Sequence, residues 1–176
     1  MPEVAKFRAA RRVWAKLMRE TYGSKDPRSE QLRIFVFTAG SSLTAQQPLN
    51  NVVRTSIEAL AAAMGGCQTM HVCAFDEALG VPTEAAATLA LRTQQIVAFE
   101  TGLTDLVDPL GGSELLERLT DQLEAEVMVE MDKIADLGGA LACIESGYFA
   151  TRLSDSAYET ATAIDTGKQK VVGVNS

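Results

Sequence analysis

The sequence predicts an α/β fold of parallel strands joined by helical crossovers, and three observations carry that expectation. Segments with helical periodicity alternate with short β-branched or aromatic runs, in the order α-β-α-β-α-β-α followed by a tail. The two clearest apolar runs, Leu32 to Phe37 and Gln68 to Ala74, are each followed by a small or acidic turn and then a helix. Glycine pairs at 65–66, 111–112 and 138–139 punctuate the pattern where helices should stop or turn.

Taken in order, residues 2–21 read as a helix. Pro2 suits its first turn, Gly23 its stop, and Val4, Phe7, Ala10, Trp14, Leu17 and Met18 recur at helical spacing. Arg8, Arg11, Arg12 and Lys16 fall mostly on other faces. Residues 32–37 (LRIFVF) carry the signature of a buried strand. Thr44 with Gln47 matches a capping box, with Pro48 in the first turn, and the helix it opens runs to about Met64. Its expected core face is Val53, Ile57, Leu60, Ala61 and Met64, with Asn50, Asn51, Arg54 and Glu58 on a polar stripe that organises the adjoining loop. A second strand spans 68–74, and Pro82 and Thr83 start a helix to about Glu100. Residues 104–107 read as a weak third strand. Ser113 caps a long helix in which Leu116, Leu119, Leu123, Val127, Met131 and Ile134 step by three or four. Residues 140–146 fit a short strand or a helical turn, residues 154–165 a last helix, and residues 170–174 a β-prone tail.

Three strands are too few to close a barrel, which in the eight-stranded form typically needs about 250 residues. The chain, taken as one unit over residues 1–176, therefore reads as part of something larger. An isolated copy should leave strand edges and apolar helix faces open.

Composition narrows the function. With 47% hydrophobic and 22% charged residues, the sequence is that of an ordinary folded domain. A net charge of −7 argues against a general nucleic-acid surface. No apolar run reaches the roughly 20 residues of a membrane-spanning helix. The N-terminus has neither a continuous apolar core with a cleavage site nor the acid-poor composition of a transit peptide, so the expected location is cytoplasmic. Cys67, Cys73 and Cys143 are odd in number without C-x-x-C spacing and read as small reduced residues. A single histidine, His71, excludes a His-rich metal site, so no metal ligands are assigned. No G-x-S-x-G elbow supports a serine hydrolase.

Several long ungapped motifs then occur in sequence: EVAKFRAARRVWAKLM (3–18), TAGSSLTAQQPLNNVVRT (38–55), GGCQTMHVCAFDEALGVPTEAA (65–86), LRTQQIVAFETGLTDLVDPLGGS (91–113), GGALACIESGY (138–148) and VVGVN (171–175). Together they resemble the large subunits of cobalamin-dependent acyl-CoA mutases, typified by methylmalonyl-CoA mutase, over almost the entire chain. The resemblance implies the last three or so β/α units of a TIM (β/α)8 barrel that encloses acyl-CoA. Adenosylcobalamin would lie at the C-terminal face of that barrel, against a separate flavodoxin-like domain. It implies a radical carbon-skeleton isomerisation of the methylmalonyl-CoA/succinyl-CoA or isobutyryl-CoA/butyryl-CoA type.

The family's first barrel half supplies a radical-positioning aromatic residue, a substrate-selecting arginine or glutamine and a general-acid histidine. None of those motifs is present, nor is the D-x-H-x-x-G cobalt-ligand motif. The resemblance thus assigns no catalytic residue to this chain. It implies partners, namely the remaining barrel half and a cobalamin-binding domain or subunit, and inactivity of this stretch alone. The competing expectation is a non-catalytic degenerate paralogue or assembly module.

By the same resemblance, Glu77 matches a glutamate that hydrogen-bonds the deoxyadenosyl ribose, a role suited to a carboxylate because it accepts from vicinal hydroxyls. Ala78 and Val81 match small and apolar positions that face the corrin. Phe37-Thr38-Ala39-Gly40-Ser41 stands where the family typically has Gln-Thr-Ser-Gly-Trp. Phe37 and Ser41 thus replace two polar or bulky contacts beside Gly40, which points to a less polar acyl group. Gln68 matches a substrate-side glutamine. Cys73 takes the place of an asparagine that bonds the adenosyl group, and its thiol is a weaker partner. His71 matches a histidine in the same strand, expected on the face opposite Gln68 and in a structural role.

Overall fold

The computed structural model describes residues 1–176 and is mostly helical, with one small parallel sheet. Helix α1 spans Pro2–Lys16 and widens into a π-helical turn over Leu17–Thr21. Strand β1 is Phe35–Phe37, helix α2 Asn50–Gly65, strand β2 Thr69–His71 and helix α3 Glu84–Glu100. Helices α4 (Glu114–Asp136), α5 (Gly139–Glu145) and α6 (Tyr148–Asp165) follow. The residues fall into two compact units, Met1–Ala125 and Glu126–Ser176.

In the first unit β1 and β2 run parallel, in the register Phe35 to Thr69, Val36 to Met70 and Phe37 to His71. Helix α2 is the crossover between them, as the alternating pattern requires. Each strand has one neighbour, so the outer edge of each is open. One core cluster packs Ala59, Val72, Ala74, Ala86 and Ala90 beneath Met70 and Phe75. A second joins Val4 and Ala5 of α1 to Leu116 of α4, flanked by Ala61, Met64, Leu119 and Leu123. Ion pairs reinforce the second cluster. Arg8 reaches Asp108 and Glu117, and Arg12 reaches Asp121 at 2.6 Å and Glu117 at 3.2 Å. Arg11 donates to the carbonyls of Gly65 (2.8 Å) and Gly66 (3.1 Å), which clamps α1 to the end of α2. The basic stripe of α1 therefore serves packing between helices.

In the second unit, the Tyr148 hydroxyl donates to Glu130 at 2.5 Å and Lys133 lies over the Tyr148 ring. Residues 140–146, which the sequence left open, are helical in α5.

Five expectations are corrected. The third strand does not form. Leu103–Asp105 is a 3-10 turn after left-handed Gly102, and Leu106 and Val107 are exposed, Val107 to 99%. The β preference of a short apolar run depends on a neighbouring strand, and none lies beside it. The Thr44–Gln47 capping box does not form either. Gln47 takes a positive φ of 47° before Pro48, and α2 starts only at Asn50. Proline disfavours helical backbone at the residue before it, so the helix cannot run through this point. The core face of α2 is also rotated from expectation. Asn51, Thr55, Ala59, Ala62 and Gly65 are buried, whereas Val53, Ile57 and Leu60 are exposed. Close approach of α2 to α1 and the sheet selects small side chains for the inner face. Helix α6 begins at Tyr148 rather than 154, after left-handed Gly147. Finally, residues 170–174 form turns held by Asn175, whose side chain accepts from the Val171 N–H and donates to the Gln169 carbonyl, instead of a strand.

Candidate functional site

Parallel strands send their following loops to the same end, and here those loops are residues 38–49 and 72–83. Thr38 joins them at the sheet. Its N–H donates to the His71 carbonyl at 3.0 Å, and its hydroxyl accepts from the Cys73 N–H at 2.8 Å. The Cys73 thiol donates back to the Thr38 carbonyl at 3.1 Å. Cys73 is buried, and loss of hydration pushes its thiol pKa up, so it stays protonated. The weaker partner expected at this position is thus committed to the backbone beside it and has no exposed surface to offer a ligand.

The acidic turn follows at once. Glu77 curls back over its own turn, with Oε1 accepting from the Ala74 N–H at 2.5 Å. Asp76 points the other way. Its Oδ2 accepts from the Thr83 N–H (3.0 Å) and hydroxyl (2.8 Å), and Thr83 in turn caps α3 through the Ala86 N–H. The Thr83 backbone donor holds the Asp76 carboxyl below its usual range. Between these anchored carboxylates and α3, Ala78, Leu79 and Val81 are exposed, Val81 to 93%. The loop tip thus presents apolar side chains to water.

On the other loop, Gly40–Ser42 forms a 3-10 turn. Gly40 is not in the left-handed region, and an added Cβ would come no closer than 3.9 Å to Cys73 Sγ. The chain's own packing therefore does not demand glycine there. Gly40 and Ser41 are exposed.

Phe37 and His71 face one another on the open side of the sheet, stacked with ring centroids 4.4 Å apart and an interplanar angle of 23°. His71 therefore belongs to the exposed aromatic face rather than the helix-packed core. Gln68 lies at the other end of the strands. Its Oε1 accepts from the Ile34 N–H at 2.6 Å, ahead of β1, and its own N–H donates to the Ile34 carbonyl. The structure thus brings Phe37, Gly40, Ser41, Glu77, Ala78 and Val81 to the loop end and leaves Gln68 at the opposite one. A cleft of about 560 Å3 opens between α1, β1 and α2, lined in part by Phe7, Phe35, Phe37 and Glu58.

Sequence reasoning missed Thr38. Its signal was position alone, a threonine immediately after an apolar run, where a hydroxyl can bridge two strand ends.

These features define a class of protein: an α/β element of consecutive strand–helix units, with the loops that follow the two parallel strands gathered at one end. The family model for methylmalonyl-CoA mutase matches residues 1–176. The chain is 47% identical over 173 residues to the 2-hydroxyisobutanoyl-CoA mutase large subunit of Aquincola tertiaricarbonis, covering 98% of this chain and 31% of that protein. It is 44% identical to the methylmalonyl-CoA mutase of Escherichia coli (98% and 24% covered) and 41% identical to the human mitochondrial enzyme (98% and 23%). The chain belongs to the methylmalonyl-CoA mutase family and spans 31% of the length of the first of these relatives and just under a quarter of the other two.

Proposed function

We propose that this chain is one portion of an acyl-CoA mutase, contributing consecutive late β/α units of a (β/α)8 barrel whose loop-end rim faces adenosylcobalamin. The observation that carries this reading is the pairing of two post-strand loops at one end, one bearing Glu77 and an exposed apolar tip, the other a glycine that its own surroundings do not require.

These residues fit the cofactor. Ala78, Leu79 and Val81 offer flat apolar contact to a macrocycle, Gly40 permits close approach, and Glu77 retains acceptor capacity beyond its Ala74 bond. Radical initiation by cobalt–carbon homolysis is the chemistry that group brings when bound. The protein's part is to orient and to exclude water. The Phe37–His71 face lines the open side of the sheet with aromatic surface, which favours an acyl group of low polarity, of the isobutyryl or 2-hydroxyisobutyryl kind, over a dicarboxylic one. The remaining barrel strands and a cobalamin-binding domain or subunit complete the site.

The test is to co-assemble the chain with those parts and compare Glu77→Ala with the unaltered assembly. Loss of one charge-assisted hydrogen bond predicts roughly 10- to 100-fold weaker adenosylcobalamin binding. Unchanged affinity removes Glu77 from the rim. A second reading, a non-catalytic assembly module, is favoured by the enclosed Cys73 thiol. It stands if the assembly binds cofactor yet turns over none of isobutyryl-, 2-hydroxyisobutyryl- or methylmalonyl-CoA.

A further inference from the structure

One face of α2 touches both rim loops, and beside the apolar contact of Ala59 it does so with two polar side chains, buried Asn51 and half-buried Glu58. Asn51 is 0% exposed. Its Nδ2 donates to the Thr44 carbonyl at 2.9 Å and to the Phe75 carbonyl at 2.8 Å. Its Oδ1 accepts from the Thr44 N–H at 3.1 Å and from Arg54 Nη1 at 2.7 Å. A primary amide has two N–H donors and two acceptor lone pairs, so all four are used. Two turns further on, Glu58 accepts from the Ala39 N–H at 2.9 Å through Oε2 and from the Ser42 hydroxyl at 2.6 Å through Oε1. Residues seven apart share a helix face.

We infer that Asn51 and Glu58 are positioning residues that turn α2 into a two-point latch, with Asn51 the one of the two that couples the first rim loop to the acidic turn. Glu58 fixes the start of the first loop, at Ala39 and Ser42. Asn51 fixes the middle of that loop at Thr44 and also holds Phe75, two residues before Glu77. Beyond the Thr38–Cys73 bonds at the sheet, the spacing of the two loops at Thr44 and Phe75 is therefore set by one amide. Side chains of other types cannot replace it. A carboxylate at 51 would turn oxygen lone pairs toward the Thr44 and Phe75 carbonyls, and an alanine would leave both carbonyls without a buried donor. Glutamine at 58 is different, because it keeps an acceptor for Ala39 and offers its NH2 to Ser42.

The inference rests on the rim reading above only for its functional consequence, and the experiment separates the two. Amide hydrogen exchange of the 176-residue chain reads the latch directly. Asn51→Asp should raise exchange at least about tenfold in both 39–44 and 75–79, the factor that losing one ordinary buried hydrogen bond gives, while residues 86–97 of α3 stay protected and report an intact fold. Glu58→Ala should loosen 39–42 alone, and Glu58→Gln should restore protection. If Asn51→Asp loosens 39–44 but leaves 75–79 unchanged, or if Glu58→Ala loosens 75–79 as well, the latch is wrong. In the cofactor-binding assembly, Asn51→Asp should weaken adenosylcobalamin binding about tenfold, and much less in a Glu77→Ala background. Independent effects of the two substitutions, with exchange raised in both loops, would keep the latch and overturn the role given to Glu77.

Discussion

Replacing Gly65 by alanine tests how α1 and α2 are held together. Gly65 is buried at the last turn of α2, and its backbone is not in the left-handed region, so alanine is conformationally permitted. Space is the obstacle. An added Cβ would lie 2.5 Å from Phe7 Cδ2, 3.2 Å from Cγ and 3.3 Å from Cβ. Ordinary carbon contacts are about 3.5–4.0 Å, so the overlap is about 1 Å, and rotation of the ring about its own axis does not relieve the closeness to Cγ and Cβ. Phe7 must leave its rotamer or α1 must move, in the face of the Arg11 bonds to the Gly65 and Gly66 carbonyls. Overpacking of this kind costs about 1–3 kcal/mol. Alanine returns up to ~1 kcal/mol of helix propensity, less at a terminal turn. The net expectation is a loss of about 1–2 kcal/mol, which lowers the Tm of a chain this size by about 2–8 °C. Urea and thermal unfolding of Gly65→Ala measure it, alone and in a Phe7→Ala background where the obstructing ring is gone. There the second substitution should be neutral or stabilising. A stabilised Gly65→Ala chain, or the same penalty in both backgrounds, refutes the packing argument.

Acid sensitivity follows from Glu117, whose carboxyl is held below its usual range first by the Gly112 N–H and then by Arg8. A carboxyl depressed in the folded state contributes stability that is complete above its unfolded pKa, about 4.3, and is lost as pH falls through the folded value. Denaturation midpoints measured from pH 7 to 3 should fall below about pH 4.3, and Glu117→Gln should flatten that decline; an unaltered pH profile in the variant counts against it. At the opposite end of the strands, Gln68→Met removes the acceptor for the Ile34 N–H and should cost about 0.5–1.5 kcal/mol in urea unfolding. If the same substitution raises the KM for acyl-CoA in the assembly, Gln68 keeps its substrate role; an unmoved KM leaves it as a strand tether.

The helices were legible where a local rule acts without competition. Thr83 caps α3, and the three- and four-residue steps of Leu116, Leu119 and Leu123 pack one side of α4. Legibility failed where the answer depends on distant chain. Residues 104–107 have strand chemistry but no strand beside them, and the inner face of α2 is chosen by what crowds it, not by hydrophobicity. The apparent stripe of Val53, Ile57 and Leu60 misled because periodicity reports a face without saying which way it points. At the site, Glu77 was visible by its motif, but its curl onto Ala74 was not. The environment of Cys73 needed Thr38, thirty-five residues away in sequence, and no spacing rule links the two. Asn51 was readable as a polar helix position, whereas its reach to Phe75 required the fold.

The two open sheet edges have a practical consequence. Phe35 and Phe37 sit on an uncapped strand whose outer backbone groups have no ladder partner, and neither a proline nor a charged residue guards them within β1. Strands in that condition template on one another, and only the overall negative charge opposes it. Recovery of usable material should thus depend on supplying the complementary polypeptide during synthesis rather than mixing finished components afterwards.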